Sequence, residues 1–120
     1  MSALLENLRR ICGDANVLTH DDPHTDLSAW EQDWRKRSHG RALAVVRPAN
    51  VQEVAAVVKA CANTFTSIVP QGGNTGLVGG AVPAAEGDAS IRPHVVLKTG
   101  RIRDALKLDE SNLTLTASVG

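Results

Sequence analysis

Pro-Gln-Gly-Gly-Asn-Thr-Gly-Leu-Val-Gly-Gly-Ala-Val-Pro, from Pro70 to Pro83, is the stretch around which this chain is organised. Half of the chain's ten glycines lie in it, at Gly72, Gly73, Gly76, Gly79 and Gly80. Glycine has no Cβ to hold a ligand away from the backbone, and successive N–H groups turned to one side form a concavity for anionic oxygens. No charged side chain occurs between residues 71 and 85. We therefore expect an anion to be held by backbone dipoles and by neutral side chains such as Thr75 and Asn74.

Two better-known glycine loops do not fit this stretch. The dinucleotide fingerprint places glycines at relative positions one, three and six, a spacing that no set of these glycines has. The phosphate loop of nucleoside triphosphatases ends in Gly-Lys-Ser/Thr, and no lysine follows a glycine here. A flexible surface loop is the remaining alternative. The apolar Leu77 and Val78 inside the run, and the apolar strand pattern before it, argue against that interpretation.

Composition narrows the possible functions. Thirteen basic and thirteen acidic residues cancel, so no net charge favours nucleic acid or an anionic membrane. Only Trp30, Trp34 and Phe65 are aromatic, too few for stacking on single-stranded nucleic acid. No apolar run reaches membrane-spanning length, so we expect no transmembrane segment. Without a secretory signal, we expect a cytoplasmic protein in which Cys12 and Cys61 are reduced and structural.

The first forty residues predict a helix followed by an irregular segment. Apolar residues recur at helical spacing between Ser2 and Gly13, which is a natural stop. From residue 14 to residue 40 the periodicity fails, and a solvated loop is expected. His20 and His24 stand near carboxylates but lack a third ligand, so we expect no metal site. The basic cluster at residues 35–41 is interpreted as a solvated face, and contact of one of its members with an anionic ligand or substrate is the alternative.

Residues 41–120 predict strands and a helix. The apolar run 43–46 predicts a buried strand, and Asn50 with Glu53 has the spacing of a capping box at the start of a helix. We expect one face of this helix to be apolar, formed by Val51, Val54, Ala55, Val58, Cys61 and Ala62. A second strand over 67–69 should end at Pro70, which makes a βαβ unit with a parallel pair of strands. The glycine loop then lies at the carboxyl end of a parallel strand, where α/β folds bind ligands.

The remaining segments, residues 86–120, show weaker secondary-structure patterns. Residues 86–94 form a polar excursion, and residues 95–97 predict a third strand. A connector over 101–109 leads to an alternating, half-buried strand at 113–119, after which the chain stops at Gly120. We expect two parts: residues 1–40 as an N-terminal helix with an opening segment, and residues 41–120 as the first part of a larger domain.

The stretch from Pro70 to Pro83 resembles the flavin pyrophosphate loop of the FAD-linked oxidases named after vanillyl-alcohol oxidase and p-cresol methylhydroxylase (PCMH). Within that family, the D-lactate, glycolate and D-2-hydroxyglutarate dehydrogenase branch is the most similar. Weaker matches run along residues 14–120: Asp33-Trp34, Ala44 to Pro48, and Arg101 to Arg103 with Asn112 to Thr114. The resemblance implies an α+β (α/β) fold, namely the N-terminal part of a PCMH-type FAD-binding domain.

The resemblance also implies a function and a set of cofactor contacts. The chain would bind FAD as part of a dehydrogenase that oxidises a D-2-hydroxy acid to a 2-oxo acid and passes electrons to a separate acceptor. No histidine lies between residues 70 and 83, so FAD should be bound non-covalently. Catalytic residues cannot be named from this stretch. The residues implied in cofactor binding are Pro70, Gln71, Gly72, Gly73, Asn74, Thr75, Gly76, Leu77, Gly79 and Gly80.

Two points leave alternatives open. Ser118-Val119-Gly120 stands where the family usually has a glutamate before Ala-Gly, and the family's members are several times longer. A non-catalytic nucleotide-binding or structural module therefore remains the second hypothesis. A nicotinamide-binding domain is disfavoured by the glycine spacing.

Overall fold

The computed structural model describes residues 2–85, 92–103 and 105–119. Its first part consists of helix α1 (Ser2–Cys12), a 3₁₀ turn (Asp14–Asn16), strand β1 (Val17–Leu18) and the single-turn helix α2 (Ser28–Glu31). Strand β2 (Ala44–Val46), helix α3 (Val51–Asn63), strand β3 (Ser67–Gln71) and strand β4 (His94–Lys98) follow. The last elements are strands β5 (Leu106–Asp109) and β6 (Thr114–Ala117).

Four strands form one sheet in the order β1-β2-β4-β3. β2, β4 and β3 are parallel, and β1 is antiparallel to β2. The prediction of a βαβ unit with parallel strands is confirmed, but β2 and β3 are not neighbours in the sheet. β4 lies between them and pairs with both, because its apolar residues Val95, Val96 and Leu97 are buried on both faces of the sheet.

The two faces of this sheet are covered differently. Ala44, Val46, Val95 and Leu97 pack with α1 and α3 in one apolar cluster. On the opposite face, Val45, Val69 and Val96 pack against Leu27, which is 1% exposed. Residues 14–40 therefore do not form a solvated loop throughout, since Leu27 and the following helix α2 cover this second face.

Helix α3 begins as predicted, but only part of its predicted apolar face packs into the core, namely the buried Cys61 and the partly buried Val54. The Asn50 side chain accepts a hydrogen bond from the Glu53 N–H at 2.8 Å, which confirms the predicted cap. The Glu53 carboxylate accepts from the Ala49 N–H at 2.6 Å. Val51 and Val58 are exposed, and the buried residues are Val57, Ala60 and Cys61. Periodicity failed here because small apolar residues occupy nearly every side of this helix.

The strand β5, which falls in the predicted connector, pairs with β6 in a separate antiparallel hairpin. Both strands are largely exposed, so the half-buried strand predicted at 113–119 is wrong in its burial. The excursion predicted at 86–94 falls mainly outside the described residues, and the division of the chain at residue 40 stays a prediction. No helix within the described part combines the length and apolarity that crossing a bilayer requires.

Candidate functional site

The glycine loop (residues 72–83) starts where β3 ends, at the carboxyl edge of the parallel strands. The strand runs through Pro70 to Gln71, beyond the predicted end at Pro70. The Gln71 carbonyl oxygen accepts a hydrogen bond from the Thr99 N–H at 3.0 Å, which extends the contact between β3 and the end of β4. The loop therefore leaves a rigid sheet, at the position where α/β folds place ligands.

Most of the loop is free of internal hydrogen bonds. Among the residues that the structure describes, none accepts a hydrogen bond from the backbone N–H groups of residues 73–78. Backbone donors are normally paired when they are not exposed to water or a ligand. A run of unpaired donors at a strand end is an arrangement that can receive the oxygens of a phosphate.

The glycines leave room at the loop surface. A Cβ built on Gly76 or Gly80 would meet no atom within 4 Å, and one on Gly73 would only touch the Thr75 methyl group at 4.0 Å. These glycines are not required by crowding within the protein, so their missing side chains keep the backbone accessible. Gly79 differs, since its φ of 77° lies in the left-handed region and its Cβ would lie 3.0 Å from the Ser38 Oγ.

The amide side chains of Gln71, which directly precedes the loop, and of Asn74, which lies in it, face the protein. Gln71 is 1% exposed, and its Nε2 donates to the carbonyl oxygens of Trp30 and Ala81, both at 2.9 Å. Asn74 donates from Nδ2 to the carbonyl oxygens of Ala29 and Gln32, at 3.2 and 2.8 Å. The side-chain donor that we expected Asn74 to offer to a phosphate is therefore already used within the protein. Thr75 and Leu77 are exposed, as is Pro70.

Lys98 brings a positive charge to the base of the loop, and sequence reasoning missed it. Its Nζ donates a hydrogen bond to the Gly72 carbonyl oxygen from the end of β4. Burial lowers the pKa of Lys98 from its ordinary value. The signal was present, because a lysine directly follows the apolar residues of a parallel strand and must lie at the same edge as the loop. An ammonium group there favours an anionic ligand.

The end of the loop packs tightly against the segment before β2. The Arg41 N–H donates to the Ala84 carbonyl oxygen at 3.2 Å. A Cβ on Gly40 would lie only 1.8 Å from the Pro83 carbonyl oxygen, so glycine is required at this position. The end of the loop is thus held in place by close contact between two backbone segments.

His20, one of the two histidines considered as metal ligands, lies beside a buried carboxylate. His20 Nε2 lies 2.9 Å from the buried Glu31 carboxylate, which also accepts from the Ala42 N–H at 2.6 Å. A cavity of about 260 Å³ adjoins this pair and is also lined by His39 and Arg41. Across residues 2–85, 92–103 and 105–119, no three His, Cys, Asp or Glu side chains are placed to hold a metal ion.

The residues of the loop fit FAD. Unpaired backbone donors, open glycine positions and a nearby ammonium group suit a pyrophosphate, which offers oxygens and negative charge. Residues 72–80 would hold this group chiefly through their backbone. Gln71 supports the loop through hydrogen bonds within the protein, and its side chain is not at the surface.

Several curated proteins that are similar to this chain are named as dehydrogenases. The D-2-hydroxyglutarate dehydrogenase of Xanthomonas citri pv. viticola is 38% identical over 95 residues, which cover 79% of this chain and 19% of that protein. The mitochondrial D-2-hydroxyglutarate dehydrogenase of Arabidopsis thaliana is 31% identical over 112 residues, covering 93% of this chain and 18% of that protein. The chain thus spans about a fifth of the length of these relatives.

A solved structure and a family description agree with the fold. p-Cresol methylhydroxylase with bound substrate superposes with a TM-score of 0.64 at 24% identity, over 90% of this chain and 20% of the other. This likeness confirms the predicted PCMH-type fold. Residues 42–120 match the family described as FAD binding domain. The chain therefore belongs to this family of FAD-binding domains, and FAD is its cofactor.

Proposed function

We propose that this chain is the N-terminal, pyrophosphate-binding part of an FAD-dependent dehydrogenase that oxidises a D-2-hydroxy acid to a 2-oxo acid. The observation that carries the proposal is the loop of unpaired N–H groups and open glycines at the carboxyl end of β3. The substrate class is supported by the names of the two relatives, which are D-2-hydroxyglutarate dehydrogenases.

The bound flavin would supply the redox chemistry, accepting two electrons from the hydroxy acid before a separate acceptor removes them. The part played by these residues is to hold the pyrophosphate through backbone dipoles. Such dipoles cost little reorganisation when the sheet already orients them. No histidine lies in the loop, so we propose that the attachment is non-covalent. A cytoplasmic location belongs to the proposal as well.

The reaction is tested on the protein at its native length. Purified under anaerobic conditions, it should show a flavin absorption band near ~450 nm that bleaches on addition of D-2-hydroxyglutarate or D-lactate and persists with the L-enantiomers. Acid precipitation should release the flavin into the supernatant if the attachment is non-covalent. Retention of flavin without bleaching by any D-2-hydroxy acid would contradict the dehydrogenase and favour a non-catalytic FAD-binding module.

The loop assignment is tested with two valine variants, Gly73→Val and Gly76→Val. Neither glycine has a φ in the left-handed region, and neither position is crowded within the protein, so both variants should fold. We expect both to lose FAD on desalting, because a branched side chain would cover the backbone donors. The control is Ala62→Val on the exposed side of α3, which also introduces a valine but lies outside the glycine loop. Full flavin retention by both valine variants would contradict the assignment.

A further inference from the structure

Four successive carbonyl oxygens in residues 29–32 are satisfied by donors from outside helix α2. A helix of one turn leaves its final carbonyls without partners, because each would need a donor from a following turn. Here Asn74 Nδ2 donates to Ala29 and Gln32, and Gln71 Nε2 donates to Trp30. The Glu31 carbonyl oxygen accepts from the N–H of Gly40 at 2.9 Å. Three of the four donor contacts therefore come from the two amide side chains at the start of the glycine loop.

The orientation of these amides follows from their chemistry. Gln71 faces two carbonyl oxygens, of Trp30 and Ala81, and carbonyl oxygens only accept. The NH₂ group must therefore point at them, and both of its hydrogens are used. Because Ala81 lies near the far end of the loop, Gln71 joins the beginning and the end of the loop to α2.

The strand period explains why Gln71 faces α2. Side chains two residues apart on a strand lie on the same face, so Gln71 shares the face of Val69. Val69 packs in the cluster that contains Leu27, the residue immediately before α2. The Glu31 carboxylate, in turn, accepts from the Ala42 N–H. Helix α2 is thus anchored to the sheet through Leu27 and to the segment before β2 through Glu31.

We infer that Gln71 and Asn74 are positioning residues for FAD, which fasten the glycine loop to α2 and hold its free N–H groups in a binding arrangement. This inference rests on the proposed role of the loop in holding the pyrophosphate. Ordering a glycine-rich segment costs much conformational entropy. A ligand that had to order the segment itself would therefore bind more weakly. Asn74 also takes a φ of 55°, a left-handed conformation that asparagine tolerates better than most residues.

Three variants test this role. Gln71→Met removes the donors at similar volume, and Gln71→Glu replaces them with a carboxylate facing two carbonyl oxygens. Asn74→Gly preserves the left-handed backbone and removes the amide. We expect each variant to raise the FAD dissociation constant about tenfold to hundredfold, from the loss of two hydrogen bonds. Matched controls are Gln52→Met and Gln52→Glu on the exposed surface of α3. These two variants should leave the FAD dissociation constant unchanged.

The measurements separate positioning from general stability. FAD dissociation constants come from flavin fluorescence titration of the protein at its native length, and denaturant midpoints are recorded on the same samples. The FAD dissociation constant of Gln71→Glu should approach that of the wild type as the pH falls toward 5. The reason is that a protonated carboxyl group again donates one hydrogen bond. A purely structural residue would show this recovery in the denaturant midpoint and not in the FAD dissociation constant of the folded protein.

Each outcome decides the inference. Weaker FAD binding by Gln71→Met and Asn74→Gly, in samples whose denaturant curves show that the protein is folded under the titration conditions, supports it. If a Gln71 variant does not fold, Asn74→Gly decides, because Asn74 is only partly buried. Wild-type affinity in the folded variants overturns the inference and leaves the proposed function standing. Failure of the wild-type protein to bind FAD overturns the proposed function instead.

Discussion

Two alanine substitutions, Gly40→Ala and Gly76→Ala, should have opposite effects on stability although they make the same chemical change. At Gly40 the new methyl group would lie 1.8 Å from the Pro83 carbonyl oxygen and 2.5 Å from the Ala84 carbonyl oxygen. At Gly76 it would meet nothing within 4 Å. One glycine is needed for close approach within the protein, whereas the other leaves space at the loop surface.

The magnitudes follow from these distances. An ordinary carbon–oxygen contact needs roughly 3 Å or more, so Gly40→Ala must push two backbone segments apart. Two backbone hydrogen bonds adjoin this contact. The Gly40 N–H donates to the Glu31 carbonyl oxygen, and the Arg41 N–H donates to the Ala84 carbonyl oxygen. Losing both costs about 1 kcal/mol each, and overpacking adds about 1–3 kcal/mol. We therefore expect the free energy of unfolding to fall by about 3–5 kcal/mol.

Gly76→Ala should behave differently in both stability and binding. A glycine that already has an allowed backbone conformation gains about 0.4–1 kcal/mol from alanine, because the unfolded chain loses entropy. The same methyl group should weaken FAD binding, since it would occupy open space at the loop surface where the pyrophosphate is proposed to bind. Gly40→Ala should lose FAD as well, but only together with its fold.

The assays are thermal unfolding and FAD titration. We expect the Tm of Gly40→Ala to fall by about 15 °C, and that of Gly76→Ala to stay within a few degrees of wild type. A Gly40→Ala variant that melts like wild type would refute the predicted clash, because the backbone approach would then not exist in solution. Unchanged FAD affinity in Gly76→Ala would refute the predicted effect of the methyl group on the ligand.

Three further outcomes are expected. Burial raises the pKa of the Cys12 and Cys61 thiols from an ordinary value of 9.0 to about 11. The stability that the neutral thiols contribute is therefore fully present below pH 9 and is lost as the pH rises towards 11. Urea unfolding should show the free energy of unfolding falling over that range. Removing both thiols with alanine should flatten the dependence, and a slope retained in that variant would contradict the cause. Lys98→Met should weaken FAD binding by about tenfold or less and reduce its salt dependence, as measured by titration at two ionic strengths; an unchanged affinity would exclude a role for this charge. Asn50→Ala should cost about 1 kcal/mol of unfolding free energy through loss of the helix cap, whereas Asn50→Asp should retain most of the stability in the same urea experiment.

Much of the local structure could be predicted from the sequence. The bounds of α1, the cap of α3 and three of the four strands in the main sheet follow from short patterns, since capping and strand periodicity depend on neighbouring residues. The glycine loop can likewise be identified from the sequence alone, because an uncharged, glycine-rich run directly after an apolar strand is typical of an anion-binding loop. The alternating residues at 113–119 predicted strand β6 but not its exposure, and strand β5 was not predicted.

The pairing of strands and the partners of polar side chains were decided only by the tertiary structure. The β2–α3–β3 pattern indicates a parallel crossover, but it does not say that β4 inserts between β2 and β3. Gln71 and Asn74 look like ligand contacts in the sequence, yet their partners at residues 29–32 lie about forty positions away. Gly40 showed no special signal, because the backbone that it must accommodate comes from residue 83. Local patterns record what a residue prefers near itself in the chain, whereas packing of distant segments determines what it contacts.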